Sequence, residues 1–80
     1  MPLQPDPDLD QLRHIIGKAR VDAGMTLEQL AEASGVGRQT IVQLSNGKYY
    51  GDLNTWLKLS RALKVGLDEL TAPVWHKDKE

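Results

Sequence analysis

The sequence predicts an all-α fold, a compact bundle of about five short helices, and three observations carry that prediction. Apolar residues recur at steps of three and four, the spacing of one helix face. Residues suited to cap a helix start, Asp8, Thr26 and Asp52, stand before these runs. Glycines follow three helical stretches, at Gly24, Gly35 and Gly47, where a helix end favours a left-handed residue.

Each element can be justified in order. Met1 to Pro7 holds three prolines, and residues 1–8 are expected to form a flexible acidic arm. Asp8 with Gln11 makes a capping box for the first helix, whose start also suits the acids at Asp8 and Asp10. Its inward stripe is read as Leu9, Leu12, Ile16, Ala19 and Ala23, and Gly24 ends it. His14 lies off that stripe and reads as an exposed histidine. The second helix covers about Leu27 to Ala33. Thr26 is its cap, Gln29 completes a capping box, and Met25 and Leu30 are placed as a hydrophobic staple.

After S-G-V-G, the third helix starts near Arg38 and stops near Asn46. At about 100° per residue, Thr40, Ile41 and Leu44 fall on one side and Arg38, Gln39, Val42 and Gln43 on the other. The fourth helix follows Asp52 and runs to about Leu63, with Leu53, Trp56, Leu57, Ser60 and Leu63 read as its inward stripe. Gly66 opens a short last helix whose Leu67 and Leu70 close the core. The domain is expected over residues 9–71, with 72–80 as a tail. Val74 and Trp75, an apolar pair on that polar tail, suggest a docking contact within the chain or with a partner.

Eighty residues allow one small domain with a modest core. There are no cysteines, so neither disulfides nor a Cys-based zinc site supplements it. No apolar run approaches a membrane span, the N-terminus lacks the pattern of a signal peptide, and the cytoplasm is the expected compartment. Net charge is −1, but it is unevenly spread. Residues 1–10 carry −3, residues 11–65 carry +4 and residues 66–80 carry −2. A mildly basic body between acidic ends implies modest non-specific affinity for DNA and a large share for specific contacts.

The outer face of the third helix has the chemistry of base recognition. The Arg38 fork of donors fits guanine O6 and N7, the Gln39 and Gln43 amides fit adenine N6 and N7, and Val42 can touch a thymine methyl. Such a helix, held by a preceding one, suits a DNA major groove. Two runs extend the pattern: L-A-E-A-S-G-V-G-R-Q-T-I-V-Q-L-S-N-G-K from Leu30 to Lys48, and D-L-N-T-W-L-K-L-S-R-A-L-K-V-G-L-D-E-L from Asp52 to Leu70. In order and spacing they resemble the helix-turn-helix domain of the lambda-repressor/Cro-like (Xre) family. The resemblance covers about Leu12 to Leu70.

That resemblance implies roles. Arg38, Gln39 and Gln43 would read bases, with Val42 between them. Thr26, Thr40, Asn46 and Lys48 would meet phosphates, the last two at a helix end where backbone N–H groups can also contribute. Tyr49 and Tyr50 stand in the following loop and either donate to phosphates or pack under the fourth helix. The resemblance places a left-handed turn at Lys64, where Gly, Asn or Asp is usual, and a Lys there implies slight strain. The chain also departs from the family pattern at Leu27, Gly37 and Ser45, where Gln, Ser and Glu are common. These departures favour dimerisation, which doubles the contacts.

The expected function is therefore a sequence-specific DNA-binding regulator, a repressor, bound to a palindromic operator as a homodimer. The partners are double-stranded DNA and a second copy, with no membrane. The alternative is an antitoxin-like or adaptor domain that binds a partner protein through Val74 and Trp75. No enzyme is expected: the chain has no Cys, two distant histidines and no serine patterned beside a base. Neither a metal nor a cofactor is expected.

Overall fold

The computed structural model describes residues 6–75; the first five residues of the expected arm and tail residues 76–80 lie outside them. Five α-helices follow in order: α1 (Leu12–Asp22), α2 (Leu27–Ser34), α3 (Arg38–Asn46), α4 (Leu53–Leu63) and α5 (Leu67–Thr71). A 3-10 turn at Leu9–Gln11 precedes α1, and another at Ala72–Trp75 continues from α5. Helix α1 packs on α3 and α2 on α4, while α5 closes the side between α1 and α4.

The caps form as the local sequence dictates. The Thr26 hydroxyl accepts from the Gln29 N–H at 3.1 Å, and the Thr26 N–H donates to Gln29 Oε1 at 2.8 Å. Met25 and Leu27, on either side of the cap, are partly buried and pack against the core cluster to which Leu30 belongs. Asp52 caps α4, its carboxylate accepting from the Thr55 N–H at 2.8 Å.

That backbone hydrogen bond from Thr55, together with the Thr55 side chain, holds the Asp52 carboxyl below its ordinary range. A depressed carboxyl stabilises the fold above its unfolded-state pKa, and the gain is lost as pH falls through the folded value. Acidification through the ordinary aspartate range is thus expected to lower the melting temperature. Asp52→Asn should flatten that part of a melting-temperature-against-pH series; an unchanged slope would place the acid sensitivity elsewhere.

The start of α1 differs from expectation. Asp8 does cap, accepting from the Asp10 N–H at 3.2 Å, but Gln11 Nε2 turns to the same carboxylate at 3.3 Å. The reciprocal half of the box is missing because the Asp8 N–H already donates to the Val74 carbonyl at 2.6 Å. The tighter first turn also rotates Leu9 out to 41% exposure, and Ala23 falls beyond the helix end and is exposed. The buried set is Leu12, Ile15 and Ile16, since an apolar stripe wide enough for a core takes adjacent residues as well as those three and four apart.

A second correction concerns α4. Trp56, Ser60 and Leu63 are buried as expected, but Leu53 is 65% and Leu57 47% exposed, and Leu59 is fully buried. On a helical wheel Leu59 lies roughly 60° to one side of Trp56 and Leu53 roughly 60° to the other. The buried stripe is therefore shifted toward the Leu59 flank of α4, the helix on which α2 packs. Ser60 is tolerated inside because its hydroxyl donates to the Leu57 carbonyl at 2.9 Å.

Ile16, Leu30, Ile41, Leu44 and Leu59 form the fully buried centre, drawn from α1 to α4. Val74 joins this core at 6% exposure. The boundary expected at residue 71 therefore falls inside a continuous helical run, and the Asp8–Val74 hydrogen bond ties the two ends of the packed unit together.

Candidate nucleic-acid interface

The two motif helices are joined by a turn built from local chemistry. Gly35 ends α2 with φ of 77°, and the Ser34 hydroxyl accepts from the Val36 N–H at 3.1 Å. Val36, buried at the turn, anchors it in the core. Gly37 then opens α3 without a side-chain cap.

Packing fixes how α3 is rotated. Ile41 and Leu44 are fully buried, and Thr40 is half-buried beside them. The opposite side presents Arg38, Gln39 and Gln43 to solvent, with Val42 half-buried between them. All four expected base-reading residues thus stand on one helix, three of them exposed. A rotation error of one residue would bury a glutamine and expose Ile41, so the core holds this face in register.

The expected phosphate residues surround that helix, with their backbone groups largely committed. Thr26 caps α2, and both its N–H and one lone pair of its hydroxyl are used in the capping box; the hydroxyl proton is its remaining donor. Asn46 and Lys48 are exposed on either side of Gly47. The backbone N–H contribution expected there is not available: the Gly47 N–H donates to the Leu44 carbonyl at 3.3 Å and the Lys48 N–H to the Gln43 carbonyl at 3.0 Å. Their side chains are left as donors. Tyr49 and Tyr50 are both exposed, but Tyr50 is tied by hydrogen bonds to its own chain. Its hydroxyl donates to Asp10 at 2.9 Å, which raises its pKa, and its carbonyl accepts from Trp56 Nε1 at 2.7 Å.

Two further residues belong to this surface and carried no signal in the sequence. Glu28, in the first turn of α2, accepts from Arg38 Nε at 2.9 Å, and this hydrogen bond lowers the Glu28 pKa. Arg13 of α1 lays its side chain across Gly47, its Cδ 3.1 Å from where a Cβ would stand. That adds a positive charge at the carboxyl end of α3, where the helix dipole favours one. Both contacts join residues far apart in the chain, which no local periodicity reveals. Elsewhere Lys18 pairs with Asp22 at 2.8 Å and Arg20 Nη1 donates to the Met25 carbonyl at 2.9 Å.

Away from α3, Val74 is buried in its own chain and Trp75 is 61% exposed. Trp75 borders an open groove of about 390 Å³ with Leu9, Tyr50 and Leu53, and none of the residues expected to read bases lines it. Among the described residues no cluster of His, Asp or Glu could hold a metal ion, and no helix is long and apolar enough to cross a membrane.

Comparison with known proteins agrees with this arrangement. A family model described as helix-turn-helix matches residues 16–70. A protein of Methanothermobacter thermautotrophicus is 42% identical over 52 residues, covering 65% of this chain and 75% of its own. One from Archaeoglobus fulgidus is 39% identical over 59 residues, covering 74% of this chain and 84% of its own. Both carry the name uncharacterized HTH-type transcriptional regulator. A matched segment reaching from α1 through α5, on an all-helical fold with the α2–turn–α3 geometry in place, shows that the chain belongs to the lambda-repressor/Cro-like (Xre) helix-turn-helix family.

Proposed function

We propose that this protein is a sequence-specific DNA-binding transcriptional regulator, and that it acts as a repressor by occupying a palindromic operator as a homodimer. Helix α3 enters the major groove, where Arg38, Gln39 and Gln43 read base edges and Val42 meets a thymine methyl. The observation that carries this reading is the exposed Arg38–Gln39–Gln43 face on a helix whose other side is locked into the core. The names of the relatives point the same way. The side chains of Thr26, Thr40, Asn46, Lys48 and Tyr49 supply the phosphate contacts that set register without reading sequence.

Lys48 separates this reading from a chance surface. Lys48→Ala is expected to weaken binding to all duplexes about equally and to reduce the slope of log affinity against log salt by about one. Titrations at several salt concentrations on a selected and a random duplex check this. A loss confined to one sequence would contradict the phosphate role.

The second copy is placed on the groove beside Trp75. An operator read by two recognition helices about one helical turn apart needs a two-fold contact that leaves α3 free, and this groove shares none of the reading residues. Trp75→Ala is expected to shift sedimentation from dimer to monomer while the melting transition stays intact, since the side chain is largely exposed. An unchanged dimer mass would remove Trp75 from the interface. A wild-type monomer would turn the groove over to the alternative reading, in which it binds a partner protein.

A further inference from the structure

We propose that Glu28 is a positioning residue that sets how Arg38 reads its base: it holds the guanidinium by Nε and leaves the two terminal nitrogens to face the groove. The inference rests on the reading of Arg38 as a base contact given above.

The geometry is specific. Arg38 is the first residue of α3, and Glu28 is the second residue of α2, ten positions earlier. Their side chains meet at 2.9 Å through Nε and Oε2. A guanidinium can engage a pair of acceptors in two ways, through Nε with one terminal nitrogen or through both terminal nitrogens. With Nε taken by Glu28, only the end-on arrangement remains. Guanine O6 and N7 are a pair of acceptors suited to it.

An exposed arginine otherwise carries large rotamer freedom, which is lost on ordering. Contact with a carboxylate on the neighbouring helix orders part of the side chain before DNA arrives. The Glu28 carboxylate is stabilised as the anion by the Arg38 hydrogen bond and by its own place in the first turn of α2, so it stays charged at neutral pH.

Charge adds a second effect. A carboxylate beside the DNA-facing surface offsets one of the cations that attract phosphates and opposes binding to arbitrary sequence. Specificity is a difference of affinities, and it rises when the wrong partner is penalised. Glu28 would therefore lower general affinity while sharpening the preference at one base pair. An ordinary surface ion pair would do neither, because exposed pairs contribute little on their own.

Two variants separate the geometric effect from the charge effect. The full chain and its Glu28→Ala, Glu28→Gln and Arg38→Ala variants are titrated against a selected duplex, against that duplex with each of the four bases facing Arg38, and against random duplex. Both Glu28 variants are expected to bind random duplex more tightly than the wild type. Glu28→Ala should lose about 5- to 10-fold of the preference at that base pair, whereas Glu28→Gln, whose amide oxygen still accepts from Nε, should keep most of it. If Arg38→Ala abolishes the preference but Glu28→Ala leaves it at the wild-type level, the positioning role is overturned and the base contact stands. Equal losses in Glu28→Ala and Glu28→Gln overturn it too, since a shared loss traces to charge and not to an oriented hydrogen bond. If Arg38→Ala itself leaves the preference unchanged, the reading of Arg38 falls and this inference with it.

Discussion

Arg38→Ala is expected to lower affinity for a specific duplex by roughly 1–3 kcal/mol at each half-site, because the guanidinium supplies two donors to one guanine and alanine supplies none. A two-fold complex uses the contact twice, so the loss for the dimer is about 2–6 kcal/mol. The loss should be confined to specific DNA, and base preference at the facing position should relax. Random duplex keeps most of its affinity, since the phosphate contacts stay in place. Helix α3 should remain folded, because Arg38 is exposed and its Glu28 contact is a surface pair. Parallel titrations of specific and random duplex separate these outcomes. An equal loss on both would make Arg38 a phosphate contact; an unchanged affinity on both would mean that another face of the domain meets DNA.

The second large effect acts on the fold. Gly51 has φ of 81°, and a Cβ there would stand 2.6 Å from Trp56 Nε1 and 3.1 Å from Leu44 Cδ2. The Trp56 ring cannot retreat without losing its hydrogen bond to the Tyr50 carbonyl, and Leu44 is fully buried. Left-handed backbone costs a non-glycine residue roughly 1–2 kcal/mol, and forcing an extra carbon into a packed core adds about 1–3 kcal/mol. Gly51→Ala is therefore expected to remove about 2–5 kcal/mol, a large fraction of the roughly 5–15 kcal/mol typical of a small domain. Gly47→Ala is the control. Its φ of 78° carries the same backbone strain, but the nearest atom is the Cδ of the exposed Arg13, which can swing away. Denaturant unfolding of the two variants checks the difference. Equal losses at both positions would show that backbone strain, and not the contact with Trp56, decides the outcome.

These two predictions differ in how far the sequence alone could reach. Arg38, Gln39 and Gln43 were legible because helix period and the neighbouring Ile41 and Leu44 determine which way they face. The Thr26–Gln29 box and the glycines closing α2 and α3 were legible because capping is decided within a few residues. The left-handed Lys64, with φ of 61°, was legible only through the family resemblance, since lysine carries no local signal for that conformation.

What could not be read was tertiary. Tyr49-Tyr50-Gly51 looked like an ordinary loop, and nothing local marks Gly51 as the one residue that fits under Trp56. Helix α4 carries leucines on both flanks of Trp56, and which flank is buried depends on how the other helices pack against it. Residues 72–80 read as a tail because they are polar around Val74, yet the chain turns once more and seats that valine beside α1. The Glu28–Arg38 pair spans the turn between two helices, and its existence follows from the angle at which they pack. Local signals thus located the exposed face of α3 that is proposed to read bases, while the contacts around it appeared only when the helices were assembled.

Selection of bound duplexes from a random DNA pool, with the full-length protein at moderate salt, tests the central claim most directly. A palindrome is the predicted result, with half-sites one helical turn apart and guanine at the position facing Arg38 in each half-site. Recovery of no motif, with only weak and salt-sensitive binding, would contradict a sequence-reading dimer.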